Sequence, residues 1–296
     1  MAERQTEQSG HYAGLDTWPD ARILDALVAG QERAIAAVRQ AAPSIARAAD
    51  VLSTRLAAGG RLAYAGAGTS IRVAVQDGSE LPATFGMAED RLLYLIAGGR
   101  AAMFDTLADA EDDAADGAAQ AAALGPADTL VAVAASGTTP FTVAAAQQAR
   151  GNGAFVIAVV NNPGSPLAAA SDLEICLESG PEVIAGSTRL AAGTAQKAAL
   201  NLLSTLTHIR LGAVHDGLMV NVQAGNAKLL RRAAGIVAAI AGVDATRAQS
   251  ALAAAGGHVK PAVLLCAGAK DIAAAQRLLD AANGNLRLAM SRLADT

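Results

Sequence analysis

Residues 62–70 read Leu62-Ala63-Tyr64-Ala65-Gly66-Ala67-Gly68-Thr69-Ser70, a short apolar run that ends in a glycine-rich loop. Four later apolar runs also end in turn-forming residues, at residues 92–96, 129–134, 155–160 and 173–177. Alanine-rich helical segments lie between them. Continuous apolar strands that alternate with helices are typical of a parallel sheet covered on both faces. The sequence therefore predicts an α/β fold with a doubly wound, five-stranded parallel sheet, in which the loops after the strands hold the ligand.

Helical sequence lies on both sides of these strands. Residues 21–57 carry apolar side chains at helical spacing, with one interruption near Pro43. After the last strand, residues 190–214 predict one long helix and residues 219–240 another, because both keep the apolar period of a helix.

The end of the chain predicts a small helical module. From Asp244 on, three short apolar helical segments are separated by Gly256-Gly257 and by Asn283-Gly284-Asn285. Glycine and asparagine at such positions are typical helix breakers. We therefore expect an amino-terminal helical segment packed on the sheet domain, the sheet domain itself, and a carboxy-terminal three-helix module, at residues 1–57, 58–240 and 241–296.

Composition and charge exclude several partners. A net charge of −4 leaves no basic field, so we expect no nucleic acid. Residues 129–149 are uncharged, but the polar turn at residues 136–140 does not fit a membrane span. Residues 1–16 lack the layout of a signal peptide. We therefore expect a cytoplasmic protein with no membrane partner.

Two strand-end loops are rich in glycine and hydroxyl groups. Each precedes a helix, where backbone N–H groups and hydroxyls suit a phosphate dianion, and glycine lets the backbone approach it. One such loop alone is more typical of a tight turn, but two at one sheet edge favour a sugar phosphate. The candidate phosphate-binding residues are Gly68, Thr69, Ser70, Ser136, Gly137, Thr138 and Thr139.

A nucleotide is not favoured at these loops. The Rossmann fingerprint needs a third glycine, and that position is Ile71. The Walker loop is also absent, since the sequence contains no Gly-Lys-Ser or Gly-Lys-Thr.

Two carboxylates could move protons near the predicted ligand. Glu80 follows the first loop by one helix length and has mainly apolar or small neighbours, whereas Glu111 begins the run Glu111-Asp112-Asp113. Two carboxylates in different environments can act as an acid and a base. An acidic run is more often a solvated helix face, so position alone leaves both roles open.

Motifs spread over nearly the whole chain resemble those of one enzyme family, the N-acetylmuramic acid 6-phosphate etherases, which have the sugar isomerase (SIS) fold. Residues 186–197, which include Gly186-Ser187-Thr188-Arg189 and Gln196-Lys197, are more specific than the first glycine loop. The matching stretches are residues 66–70, 80–86, 97–99, 110–113, 180–189, 192–197, 200–205, 209–212 and 226–229.

The resemblance implies a reaction and roles for the candidate residues. The reaction removes D-lactate from C3 of N-acetylmuramic acid 6-phosphate and leaves N-acetylglucosamine 6-phosphate. Glu80 corresponds to the acid for lactate departure and Glu111 to the base at C2. Ser187, Thr188 and Lys197 join the substrate-binding residues by the same resemblance.

The resemblance also implies a homodimer, no metal or organic cofactor, a carboxy-terminal module of the ubiquitin-associated type, and a part in peptidoglycan recycling. The chain differs from the usual family pattern at several positions, which include Ala83 and residues 215–217. Two of the differences lie at the phosphate loops: Ile71 stands where glycine is usual, and Thr138 where arginine is usual.

Two other functions remain open at this point. The first is an aldose–ketose isomerase or related lyase that acts on another sugar phosphate. The second is a non-catalytic sugar-phosphate sensor such as the glucokinase regulatory protein, against which the retained Glu80 and Glu111 argue.

Overall fold

The computed structural model describes residues 5–8, 12–105, 109–223 and 226–294. Residues 1–4 and 9–11 of the segment expected to lack a signal peptide lie outside this part. The chain separates into two compact units, which are described in turn. The first comprises Met1–Gly78 and Asp90–Ser204, and the second Ser79–Glu89 and Thr205–Thr296.

The first unit contains the predicted five-stranded parallel sheet. Its strands have the order β2-β1-β3-β4-β5, and all neighbouring pairs are parallel. Every residue of β1 and β3 is buried, as expected for strands covered on both faces. The fold class is therefore confirmed, and all five strands lie where the apolar runs predict them: β1 Leu62–Gly66, β2 Leu92–Ile96, β3 Thr129–Ala134, β4 Phe155–Val160 and β5 Leu173–Cys176.

Seven α-helices of the described chain begin in the first unit. The predicted interruption of the amino-terminal helix is confirmed, because α1 ends at Gln40 and Pro43 lies in the first turn of α2, where its missing N–H does no harm. Residues 129–149 form a strand, a loop and most of a helix, as predicted. No helix among the described residues has the length and apolar content needed to cross a membrane. The helices are α1 Asp20–Gln40, α2 Ala42–Ala57, α3 Gly68–Phe85, α4 Ala114–Ala121, α5 Pro140–Gly151, α6 Pro166–Ala169 and α7 Ala191–Arg210.

The order in which strands are added to the sheet changes side between β1 and β3. The chain passes from β1 to β2 on one side and then returns to β3 on the other. Gly66, the last residue of β1, is paired with Val133 of β3. The loops that follow these two strands are therefore neighbours, at the place where doubly wound folds bind ligands.

A buried carboxylate connects α3 to the sheet. Asp77 is 4% exposed and accepts hydrogen bonds from the Tyr64 hydroxyl at 2.7 Å, Asn201 Nδ2 at 2.6 Å and Ser204 Oγ at 2.9 Å. Burial and the neighbouring Asp77 carboxylate raise the pKa of Tyr64 well above its ordinary value, so this phenol stays a donor. The network joins β1, α3 and α7 within the first unit.

The second unit contains a short hairpin of β6 (Val214–His215) and β7 (Leu218–Met219). The helix predicted for residues 219–240 is therefore wrong at its start, since α8 spans Ala227–Ala241. Asn226 sets the beginning of α8 because its side chain accepts a hydrogen bond from the Leu229 N–H at 2.9 Å.

In the described chain, four helices follow α8 where three segments are predicted. Both predicted breaks are present, at residues 256–257 and 283–285, but a third separates α10 from α11. There Asp271 caps α11 by accepting a hydrogen bond from the Ala274 N–H at 2.7 Å. The four helices are α9 Ala245–Ala254, α10 Val259–Cys266, α11 Ile272–Ala281 and α12 Leu286–Ala294.

The core of the second unit includes α8. Ala233 and Val237 of this helix are fully buried with Ala262, Val263 and other residues of the later helices in one apolar cluster. The domain boundaries suggested from the sequence, at residues 57 and 240, stay a prediction.

Candidate active site

A cleft of about 480 Å³ lies in the first unit beside the loops that follow β1 and β3. Six of the predicted site residues line it: Ser70, Glu111, Ser136, Thr138, Thr139 and Thr188. Glu7, Asp112 and Gly186 also contribute to its wall. The cleft thus brings together both hydroxyl-rich loops, one of the two predicted catalytic glutamates and part of the segment before α7.

The first wall is the start of α3. Its first hydrogen bond runs from the Ile71 N–H to the Ala67 carbonyl at 3.3 Å, so the N–H groups of Gly68, Thr69 and Ser70 precede the regular helical ladder. Ser70 is nearly buried, with 8% exposure, and its side chain faces the cleft. This turn therefore offers N–H donors and a hydroxyl to an anion.

The second wall is the loop between β3 and α5. Thr138 donates to Ser136 Oγ from its backbone N–H at 3.2 Å and from its hydroxyl at 3.1 Å. Thr139 and Pro140 then begin α5, whose first turn also presents N–H groups. Gly137, in the same loop, is buried, and its carbonyl accepts a hydrogen bond from the Leu167 N–H at 2.9 Å.

Glu111 enters the cleft from a single helical turn, Ala110–Asp112, which lies just before α4. Its side chain is exposed, and it also lines an adjoining cavity of about 320 Å³ together with Gly68 and Arg72. Arg72 donates to the carbonyls of Met103 at 3.0 Å and Ala102 at 3.1 Å. The segment after β2 is therefore attached to α3 close to the first phosphate loop.

The third wall of the cleft is formed by Gly186 and Thr188, in the segment before α7, and a buried glutamate fixes this segment. Glu182, 1% exposed, accepts hydrogen bonds from the N–H groups of Ala191 and Ala192, both at 2.9 Å. The Thr188 carbonyl accepts another from the Gly193 N–H at 2.8 Å. Since a carboxylate already occupies the amino terminus of α7, this helix does not offer a free anion site, and Glu182 positions the segment that carries Gly186 and Thr188.

The remaining predicted residues lie elsewhere. Gly68 lines the adjoining cavity rather than the cleft, and Gly137 is buried and is not among the described residues that line the cleft. Thr69 lies against α7, where a Cβ built on Gly193 would be 3.2 Å from its Cγ2. Ser187 is half-buried and Lys197 is exposed on α7, and neither is among the described residues that line the cleft.

Glu80, the other predicted catalytic residue, is exposed on the part of α3 that belongs to the second unit. Its catalytic role, like that of Glu111, stays a prediction.

The two departures from the family pattern have different surroundings. Ile71 is 1% exposed, and a Cβ built on Gly66 would lie 3.4 Å from its Cβ, so this side chain packs inside the unit. Thr138 faces the cleft. Of these two differences, the one at Thr138 is placed to meet a ligand.

Glu7 is the residue that sequence reasoning missed. It belongs to a short polar segment without apolar periodicity, and it is 104 positions away from Glu111 along the chain. Only the preceding Thr6, a hydroxyl residue that proves to be fully buried, distinguishes the segment, and burial is not visible in the sequence.

Two known protein families match parts of this chain, and they identify the class of protein to which its fold and cleft belong. The family described as SIS domain matches residues 103–210, and the family described as glucokinase regulatory protein N-terminal SIS domain matches residues 44–150. The first unit, which contains the five-stranded parallel sheet, is thus a SIS domain.

Relatives that match most of the chain give the narrower assignment. The N-acetylmuramic acid 6-phosphate etherase of Deinococcus radiodurans is 48% identical over 288 residues, which cover 96% of this chain and 94% of the relative. The enzyme of the same name from Symbiobacterium thermophilum is 51% identical over 79% of each chain. Among solved structures, a phosphoheptose isomerase from Francisella tularensis has a TM-score of 0.49 and 20% identity, covering 66% of this chain and 98% of that one. The chain belongs to the N-acetylmuramic acid 6-phosphate etherase family.

Proposed function

We propose that this chain is an N-acetylmuramic acid 6-phosphate etherase, which cleaves the C3 lactyl ether to give N-acetylglucosamine 6-phosphate and D-lactate. The single observation that carries the proposal is the cleft in which Glu111 lies with the hydroxyls of both strand-end loops. Relatives of that name that match 96% and 79% of this chain support the choice of substrate.

The two loops hold the phosphate. None of the described residues that line the cleft is basic, so a dianion there depends on N–H groups and hydroxyls. Ser136 Oγ accepts two hydrogen bonds from Thr138, which leaves one hydroxyl proton of the pair to donate to a phosphate oxygen.

Glu111 begins the chemistry as a base. In the open-chain sugar the aldehyde at C1 acidifies the proton on C2, and the Glu111 carboxylate removes it. The electron pair of that C–H bond forms the C2–C3 double bond as the C3–O bond breaks.

Glu80 completes the elimination as an acid. An alkoxide is a poor leaving group, so the lactyl oxygen takes a proton from Glu80 and departs as D-lactate. Water then adds to C3 of the unsaturated aldehyde and gives a proton back to Glu80. Glu111, whose carboxyl proton has meanwhile exchanged with solvent water, then protonates C2. The sum is one water consumed, one ether bond cleaved and both glutamates restored.

The setting of the reaction is part of the same proposal. We expect the enzyme to act in the cytoplasm as a homodimer, in the recycling of peptidoglycan sugars and without a metal or organic cofactor. Sedimentation of the purified chain measures the oligomeric state, and a monomer with full activity would contradict a functional dimer.

The test is D-lactate release from N-acetylmuramic acid 6-phosphate by the wild type and by Glu111→Gln and Glu80→Gln. Each variant keeps the size of the side chain but removes its proton chemistry, so we expect kcat to fall by about 100-fold or more. Glu32→Gln, an exposed position on α1, is the matched control and retains activity. Full activity in Glu111→Gln would exclude the proposed base, and a wild type that releases no lactate would exclude the etherase.

A further inference from the structure

A short segment near the amino terminus is fixed to the interior of the first unit. Thr6 has no exposed surface, and its carbonyl accepts a hydrogen bond from the Gly186 N–H at 3.1 Å. Asn162, in the loop after β4, accepts from the Gln5 N–H at 2.8 Å and donates to Thr6 Oγ1 at 3.2 Å. These two contacts of Asn162 join residues 157 and 156 positions apart, so tertiary structure sets the place of this segment.

The same asparagine connects the segment to the phosphate loop. Asn162 Nδ2 also donates to the Ala135 carbonyl at 2.9 Å, and Ala135 directly precedes Ser136. The amino-terminal segment is thereby held in register with the second wall of the cleft.

The side chain of Glu7 then lies along the cleft wall. A Cβ built on Gly186 would be 2.9 Å from Glu7 Oε2, and Gly186 has a φ of +76°, so glycine is needed both for the backbone and for the room the carboxylate takes. The Glu7 side chain is exposed to the cleft.

The chemistry of the cleft restricts what Glu7 does. A carboxylate repels a phosphate dianion, so it belongs at the sugar end of the ligand rather than at its phosphate. Carboxylates are acceptors only, and hydrogen bonds to a charged group are stronger than neutral ones. Sugar hydroxyls and acetamido N–H groups are matching donors.

We propose that Glu7 is a substrate-binding residue, whose carboxylate accepts a hydrogen bond from a hydroxyl or acetamido N–H of the amino sugar in the cleft. The inference rests on the proposed function for the identity of that sugar. It assigns to the amino-terminal segment a direct part in the site, separate from the proton transfers of Glu80 and Glu111.

The test is calorimetric binding to the full chain of two probes, N-acetylglucosamine 6-phosphate and inorganic phosphate. In Glu7→Gln and Glu7→Ala we expect the Kd for the sugar phosphate to rise about 10-fold or more, as for the loss of a charge-assisted hydrogen bond. The Kd for inorganic phosphate should stay the same or fall, because a negative charge is removed. Glu32→Gln is the control and changes neither value.

The ratio of the two Kd values separates a sugar contact from damage to the site. If Glu7 had only a structural role, its substitution would weaken the binding of both probes together, and that result would overturn the inference. An unchanged Kd for the sugar phosphate would overturn it as well. The outcome does not depend on turnover. If the wild type releases lactate and the ratio of the two Kd values is unchanged in Glu7→Ala, this inference alone is contradicted. A wild type that binds the sugar phosphate without releasing lactate would contradict the etherase activity alone. A wild type that does not bind the sugar phosphate would contradict both the etherase activity and the role of Glu7.

Discussion

Thr138 donates two hydrogen bonds to Ser136 Oγ, one from its backbone N–H at 3.2 Å and one from its hydroxyl at 3.1 Å. A hydroxyl oxygen has two lone pairs and one proton, so Ser136 has its acceptor capacity filled from within the loop. Because the Thr138 hydroxyl uses its proton in this bond, the Ser136 O–H remains to donate to a ligand. The loop is therefore prepared as a donor before any phosphate arrives.

Ser136→Ala should weaken the binding of inorganic phosphate and of sugar phosphate alike. The change removes the hydroxyl that donates to a phosphate oxygen, and it leaves the Thr138 N–H without its acceptor. We expect a Kd about 10-fold higher for both probes, with an unchanged unfolding temperature. Ser250→Ala, at an exposed position of α9, is the matched control. Normal phosphate binding in Ser136→Ala, and in Ser70→Ala beside it, would place the phosphate elsewhere.

Gly137→Ala should destabilise the protein. Gly137 has a φ of +66°, and a Cβ there would lie 2.2 Å from Ser165 Oγ, so the loop would have to move away from the segment that caps α6. We expect a loss of about 2 kcal/mol in the free energy of unfolding, measured with urea.

Gly151→Ala is the control for this change. Gly151 is the last residue of α5, a Cβ added there would meet open space, and its φ is not positive. We expect this variant to be neutral or slightly more stable. Equal losses in both variants would contradict the role given to the Ser165 contact.

Asp77→Ala should cost more than Tyr64→Phe. Removing the carboxylate takes the acceptor from the Tyr64 hydroxyl and from Asn201 Nδ2, and leaves Ser204 Oγ with the longer contact to the Asn201 carbonyl at 3.3 Å. Removing the phenol hydroxyl instead leaves the carboxylate with two donors. We expect about 3 kcal/mol for the first variant and about 1 kcal/mol for the second. Similar losses by urea unfolding would show that the network is not organised around Asp77.

Asp128→Asn should destabilise the first unit in a pH-dependent way. The Arg61 side chain, with help from backbone N–H groups, lowers the pKa of Asp128 from 3.8 to about 2. A lowered folded-state pKa stabilises the fold above the ordinary value, and this stabilisation is lost as the pH falls through about 2. We expect the variant to lose about 2 kcal/mol at pH 7 and the difference to vanish near pH 2.

Asp25→Asn, at an exposed position of α1, is the control for this pH series. It should lose no stability at either pH. A constant difference between wild type and Asp128→Asn over the whole range would mean that packing, not the charge, holds this position.

The sheet was predictable because its strands are marked in the sequence. The central strands β1 and β3 are buried along their whole length, so burial leaves an uninterrupted apolar pattern, and each of the five runs ends in residues that favour a turn. The loops after β1 and β3 met in one cleft because parallel strands end at the same edge.

What sequence missed depends on contacts between distant residues. The helix expected from Met219 begins at Ala227 because Asn226 supplies a cap and Met219 itself ends a hairpin, which apolar periodicity does not distinguish. Glu7 reaches the cleft only through Thr6 and Asn162, whose partners are set by the folded chain.

The most direct test of the central claim is the reaction with N-acetylmuramic acid 6-phosphate in deuterium oxide, followed by mass spectrometry after return to ordinary water. Removal of the C2 proton by Glu111 and its replacement from solvent predict D-lactate together with N-acetylglucosamine 6-phosphate that carries one carbon-bound deuterium, at C2. Lactate release with no deuterium in the sugar would contradict elimination through C2, and no lactate from folded protein would contradict the etherase itself.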